Sequence, residues 1–384
     1  MNATVCCDPI QDPYIEFSLG RKAKEGTMKS IHLVDGEARQ SHSRREFLIG
    51  LATLGAAAVL PKALSSAQTP AAAPVRPFRI DTHHHFSAPG QVAEMIARKT
   101  GQTPLIEWTP QKSVEDMDKG GVATSILSIS EPSVWFGDDA AARKMARECN
   151  ELGARVMADY PGRFGLFAIL PLPDVDGSLR EIEYSLDTLK ADGICMMTSI
   201  GGKYPGDPAF EPVMDELNRR KAVVYFHPYR APCCQNLLPQ GTGLGGELVN
   251  DTTRAITSVL ISSTVVRCPD IRFLWSHGGG TAPYITGRLA GAAQRLPKGL
   301  IYELQKFYYD TAQAYNPYTL PSFKKLVPIS HILFGTDFPF ATGSASVAKG
   351  LRDNGDFSAS ELRAIERENA LELFPRLKTG ARLA

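Results

Sequence analysis

The sequence predicts an α/β protein of the (β/α)8, or TIM-barrel, class. Two observations carry this expectation. Eight short apolar runs alternate with helix-like stretches from Phe78 onward, the rhythm of strand–helix units closing a parallel sheet. Most of the runs are rich in Val, Ile, Leu or Phe and lack period-two alternation, as strands buried on both faces do. A doubly wound sheet is the competing architecture, but no G-x-G-x-x-G follows an early strand.

The strands are expected at Phe78–Thr82, Val122–Ser130, Arg163–Leu170, Gly193–Thr198, Ala222–His227, Ile271–His277, Phe307–Thr311 and Ile332–Asp337. Helices are expected between them at Asp139–Asp159, Asp176–Lys190, Pro208–Arg220, Glu247–Arg267 and Thr281–Gln294, with a last one at Ser358–Phe374. In the second of these, Leu179, Ile182, Leu186 and Leu189 recur at helical spacing.

Residues 1–75 read as a leader and 76–384 as the barrel domain. Arg44 and Arg45 precede Phe47-Leu48, a mild apolar run follows from Ile49 to Leu60, and Ser65-Ser66-Ala67 offers a cleavage point after Ala67. This is the order of a signal peptide, and the paired arginines resemble a twin-arginine signal, so a periplasmic or exported protein is expected. The apolar run is too short to span a bilayer comfortably, so no stable membrane anchor is expected. Asp8, Asp12, Glu16 and Glu25 do not suit a signal n-region, which points to translation starting at Met28.

Charge is balanced, with 42 Lys plus Arg against 41 Asp plus Glu. No net positive field exists to attract nucleic acid. The seven cysteines contain no C-x-x-C pair, which argues against a zinc knuckle or a thioredoxin-like motif. Cys195 and Cys268 are expected in or near the core. The vicinal Cys233-Cys234 reads as structural or incidental, because adjacent cysteines are poorly placed to bridge each other.

Side chains at the C-terminal ends of barrel strands face the mouth where chemistry occurs. Five of the eight histidines fall at three of these ends: His83-His84-His85, His227 and His277. Residues two apart on a strand face the same way, so His83 and His85 can share one ion while His84 packs or supports from elsewhere. His227 and Asp337 would complete a set of nitrogen and oxygen ligands. One divalent metal ion is therefore expected, with zinc favoured by the imidazoles and manganese or iron as competitors. Asp310 reads as a residue that pins its loop.

The segments "IDTHHHF", "VVYFHP", "FLWSHGGGTAPYITGR" and "ILFGTDFPF", in that order, resemble the amidohydrolase superfamily. Within it they look like the branch around aminocarboxymuconate-semialdehyde decarboxylase, over roughly Phe78 to Phe374. "LKADGI", "FYYDTA" before Asn316-Pro317, and "RRKAVVYFHP" are most similar to 6-methylsalicylate decarboxylase-like proteins. The resemblance implies an amidohydrolase-type barrel whose metal ligands are His83, His85, His227 and Asp337. It implies that His277 activates or orients water at the metal. It also implies a homodimer, with Arg288 reaching a substrate carboxylate across the interface. A second substrate-binding arginine of the muconate enzyme has no match, since Ser113 and Glu115 stand in that region. A small monocarboxylic aromatic acid, salicylate-like, therefore suits the site better than a muconate.

The expected reaction is non-oxidative decarboxylation, with Asp337 or His277 giving a proton to the ring carbon that carries the carboxylate. Hydrolysis of a lactone or amide by the same metal set is the alternative, and export favours it slightly. A metal-binding protein without catalysis is a third and weaker reading. Tyr229, Arg230 and Asn236, on the loop after the fifth strand, are candidate substrate contacts, as are Trp108 and Trp135.

Overall fold

The computed structural model describes residues 78–231, 234, 244–340 and 343–380. The chain divides into two units, Met1–Ala71 and Ala72–Ala384. The leader with its twin-arginine motif lies outside the described residues, as does Asn236.

The second unit carries eight parallel strands in sequential order. They are β1 (Arg79–His85), β2 (Val122–Ser128), β3 (Phe164–Ile169), β4 (Gly193–Met197), β5 (Val223–His227), β6 (Arg272–Trp275), β7 (Tyr308–Asp310) and β8 (Ile332–Leu333). Every residue of β2 to β5 is buried, which explains their unbroken apolar character. The barrel closes between β8 and β1: Thr82 N–H donates to Phe334 O (2.9 Å) and Asp337 N–H donates to His83 O (2.9 Å).

Each expected strand is present, most within one or two residues of the expected ends, and two differ by more. β1 runs on to His85, because His85 N–H donates to Phe338 O (2.8 Å) and keeps the chain extended. β8 stops at Leu333 as a regular strand, and Asp337 has a left-handed φ of 62° that ends the extended run. Gly335 lets this segment press against its neighbours. A Cβ there would lie 2.8 Å from Asp310 Cβ and 2.9 Å from His83 Cβ.

The helix Asp139–Asp159 forms as expected, its N-terminus capped by Asp138, whose side chain accepts from Ala141 N–H. Three other helices need correction. Val175–Glu183 gives way to a π-helical turn at Tyr184–Thr188. The helix from Leu244 ends at Ile261, and Thr264–Arg267 follows separately after Ser263 adopts a φ of 62°. The C-terminal helix likewise passes through a π turn at Ala364–Glu368.

A larger correction concerns Thr281–Gln294, which is not an α-helix. It is a series of turns followed by a 3-10 helix at Leu289–Arg295. Pro283 lacks an amide donor, and Gly287 and Gly291 weaken any helix that might follow. Cys195 and Cys268 are buried, as expected. No described helix is long and apolar enough to cross a membrane.

Candidate metal centre

The strand ends deliver His83, His85, His227 and Asp337 to one place, with a ligand atom of each within 4.8 Å of the others. All four are nearly inaccessible to solvent. Alternation along β1 sends His83 and His85 to the lumen and His84 to the other side.

The second nitrogen of each imidazole fixes the first. His83 Nδ1–H donates to Asp310 Oδ2 at 2.8 Å, His85 Nδ1–H to the Ser128 carbonyl at 3.2 Å, and His227 Nδ1–H to the Pro228 carbonyl at 3.0 Å. Each ring proton is thereby committed at Nδ1, and three Nε2 atoms are left as ligands. His83 Nε2 and His85 Nε2 stand 2.9 Å apart, with Asp337 Oδ1 at 3.1 and 3.2 Å from them. Two neutral imidazoles cannot hold lone pairs that close without a positive charge between them. A proton or a cation must sit there, and three imidazoles plus one carboxylate form a donor set suited to a divalent ion.

The electrostatics agree. Burial would lower the His83 pKa, but the carboxylates of Asp310 and Asp337 overcome it and raise the group to about 10. His85 lacks that surplus of negative charge, and burial takes it down to about 4. Burial and the neighbouring imidazoles hold His227 well below its ordinary value. Burial would raise Asp337, but the His83 charge and hydrogen bonds from His277, His83 and His85 hold it well below the usual carboxylate range.

Two further groups meet Asp337. His277 Nε2 lies 3.3 Å from Asp337 Oδ2, and Gln313 Nε2–H donates to the same oxygen. His277 Nδ1 is buried with no hydrogen-bond partner. The backbone turns sharply here: His277 has a φ of 54°, and Gly278, Gly279 and Gly280 are all positive. Gly280 is required, since a Cβ would lie 2.2 Å from the Val249 carbonyl oxygen.

Asp310 does pin its loop, accepting from His277 N–H (2.9 Å) and Ala312 N–H (3.0 Å). The same carboxylate orients His83. His84 is a supporting residue: its Nδ1 contacts Asp81 Oδ2 (3.0 Å), its Nε2 contacts Ser113 Oγ (2.9 Å), and its ring stacks on Phe338 at 4.5 Å. Asp81 also accepts from Thr336 N–H and Oγ1–H, which ties β1 to the segment carrying Asp337. Ser113, noted for standing where an arginine would be, is buried and also accepts from Trp108 Nε1–H (2.9 Å). Trp108 therefore supports His84 through Ser113.

A pocket of about 190 Å³ opens on the centre, lined by His227, His277, Asp337, Gln313, Glu131 and Phe340 among others. Of the proposed substrate contacts, Arg230 bonds a residue of its lining, its Nε–H shared between Glu131 Oε1 (2.9 Å) and Oε2 (3.0 Å). Burial raises the Glu131 pKa, with Arg230 opposing. Tyr229 and Trp135 line a second cavity beside this pocket. Arg288 is exposed on the turns after β6 and does not line the metal pocket. Sequence reasoning missed Glu131 and Gln313. Both follow strand ends, in "SISEP" after β2 and "DTAQ" after β7, and polar residues just past those ends were the available signal.

The chain matches the amidohydrolase family over residues 80–376. It is 35% identical to decarboxylase yanB of Aspergillus niger over 335 residues, covering 79% of this chain and 89% of that protein. It is 34% identical to 6-methylsalicylic acid decarboxylase of Penicillium expansum over 322 residues, covering 78% of this chain and 97% of that protein. Among solved structures, the dihydroxybenzoic acid decarboxylase of Polaromonas sp. JS666, with bound manganese and 2-nitroresorcinol, superposes with a TM-score of 0.68. It is 22% identical and covers 80% of this chain and 99% of that one, a likeness of fold. The barrel, the buried three-histidine and aspartate centre and the match along nearly all of the described residues together place the chain in the amidohydrolase family.

Proposed function

We propose that the protein is a metal-dependent carboxy-lyase acting on a small aromatic acid with a hydroxyl beside the carboxylate. The observation that carries this reading is the coincidence of the buried His83–His85–His227–Asp337 centre with 34% identity along 97% of a 6-methylsalicylic acid decarboxylase. These four residues would hold a divalent ion. Zinc is favoured by the three imidazoles, and the manganese in the solved neighbour names its competitor. When bound, the ion supplies Lewis-acid stabilisation of charge on the substrate's oxygens.

The protein's own groups manage the proton. Asp337 is held ionised, so it accepts at Oδ2 from His277 Nε2 and Gln313 Nε2. His277 Nε2–H, rather than Asp337, is therefore the proposed donor to the ring carbon, and its proton is replaced from solvent through the pocket after each turnover. Proton transfer to the carbon bearing the carboxylate breaks aromaticity. The bond to the carboxylate then cleaves, its electron pair returns to the ring, and carbon dioxide leaves.

We also propose that a second copy of the chain completes the site, with Arg288 as the carboxylate clamp. Arg288 is exposed, and Tyr284 beside it is 86% exposed, which is the character of a covered face. Export by the twin-arginine route is proposed from the leader's sequence.

The test is a turnover screen on metal-analysed enzyme, offering 2-hydroxybenzoic acids and small lactones side by side. Carbon dioxide release that stops on chelation supports the lyase. Acid release from lactones without carbon dioxide would make the protein a hydrolase instead.

A further inference from the structure

The mouth holds a second, larger cavity of about 350 Å³ over the ends of β3 and β4. Its walls are mainly apolar: Trp135, Leu170, Leu172, Met197, Ile200 and Tyr229 stand among them. Residues that line it neighbour residues of the metal pocket along the chain. Glu131 lines the metal pocket and the next residue, Pro132, lines the cavity; His227 lines the metal pocket and Tyr229 lines the cavity. Met197 is the register partner of His227, so a wall of the cavity lies directly beside a metal ligand. Register partners on neighbouring strands project to the same face of the sheet.

The two spaces differ in capacity and in chemistry. The metal pocket, at about 190 Å³, is smaller than the roughly 300–1,000 Å³ usual for a ligand site, whereas the neighbouring cavity falls within that range. The first combines polar and charged groups with Leu248, Val249 and Phe340, and the second offers mainly aromatic and aliphatic side chains. Glu131, held by Arg230, stands at the boundary between them.

We propose that the cavity receives an apolar ring substituent, so the preferred substrate is a hydroxybenzoic acid carrying an alkyl group longer than methyl. This rests on the carboxy-lyase reading and narrows its substrate class. Each methylene that enters the cavity should raise kcat/KM about fourfold, the equivalent of about 0.8 kcal/mol. The walls that read the substituent are Met197, Ile200 and Trp135.

The experiment uses the metal-loaded enzyme and 2-hydroxybenzoic acids bearing methyl, ethyl, propyl or butyl at ring position 4 or 6. Two readouts are taken: carbon dioxide release, and binding followed by tryptophan fluorescence. The chain has three tryptophans, of which Trp135 lines the cavity, and Trp135→Phe identifies its signal. Affinity and kcat/KM that climb with chain length in one series, and a preference that Ile200→Trp reverses, are the expected result. Values that are flat or falling beyond methyl, with carbon dioxide still released, would overturn the inference and leave the lyase standing. Affinity that climbs with chain length without any carbon dioxide would keep the cavity's role and remove the lyase reading. Flat affinity without carbon dioxide would remove both. The chain-length series on the unaltered enzyme decides the matter even where Ile200→Trp does not fold.

Discussion

At the N-terminal end of the barrel, Asp192 accepts from Arg376 Nε (2.8 Å) and Nη2 (2.7 Å) and from Leu166 N–H (3.0 Å). Nearby, Arg220 binds both Asp187 and Glu216. Each of these two arginines has an opposite charge beside it and remains partly in water. At the C-terminal end, His83, His85, His227 and His277 crowd around Asp337, away from water. One end pairs opposite charges and the other gathers groups that ligate metals. The difference separates a scaffold from a reactive centre within one fold: the first pairs opposite charges, and the second holds metal-ligating groups together, where a proton on His83 or a bound cation offsets their crowding.

Removing a ligand should break the contrast most severely. Asp337→Asn deletes the charge that both His83 and His85 face, so metal content by elemental analysis and turnover should both fall to background. A variant retaining full metal and activity would remove Asp337 from the centre. Asp310→Asn should act one step further out. It keeps the shape but weakens the acceptor that fixes His83 Nδ1–H, and a loss of about 10- to 100-fold in metal affinity is expected. An unchanged affinity would reduce Asp310 to its hydrogen bonds with His277 N–H and Ala312 N–H.

Much of the centre was legible because a strand imposes period two and a barrel collects strand ends. His83, His85, His227 and Asp337 could be grouped from their place in the eight apolar runs, whereas a role for His277 came from the family resemblance. The supporting residues were less legible. Ser113 lies 29 residues from His84, and Asp310 lies 227 from His83, and only the closed barrel brings these pairs together. Arg230 and Glu131, 99 residues apart, form a pair that no local pattern announces. The false helix at Thr281–Gln294 has a different origin. Its apolar and small residues fit a helical template, but Pro283 and the glycines set the backbone instead.

The buried end should also respond to pH where the balanced end does not. Without metal, His83 titrates at about 10, above its ordinary 6.5, while His85 and His227 are neutral and Asp337 is ionised at pH 7. Metal binding at pH 7 must therefore expel about one proton, and affinity should rise about tenfold per pH unit until pH approaches 10. Calorimetry in buffers of different ionisation enthalpy measures the proton count; a count of zero would contradict the assignment. The stability of the metal-free protein follows the opposite sign. A raised folded-state pKa contributes stability that is fully present below 6.5 and lost as pH rises through about 10. Metal-free enzyme should lose melting temperature over that interval, and metal-loaded enzyme should not.

The smallest effect belongs to the balanced end. Arg376→Ala removes both guanidinium bonds to Asp192, whose side chain is nearly inaccessible while that of Arg376 is 45% exposed. Water can reach the guanidinium, so screening limits the pair to about 1 kcal/mol. That corresponds to a fall of about 2 °C in Tm for a domain of this size. Asp192 would keep the Leu166 amide as a donor, which limits the loss further. Turnover and metal content should not change, because the pair lies at the opposite end of the barrel from the mouth. A variant that lost activity at unchanged Tm would mean that the two ends are coupled, and the separation of scaffold from centre would fail at its simplest test.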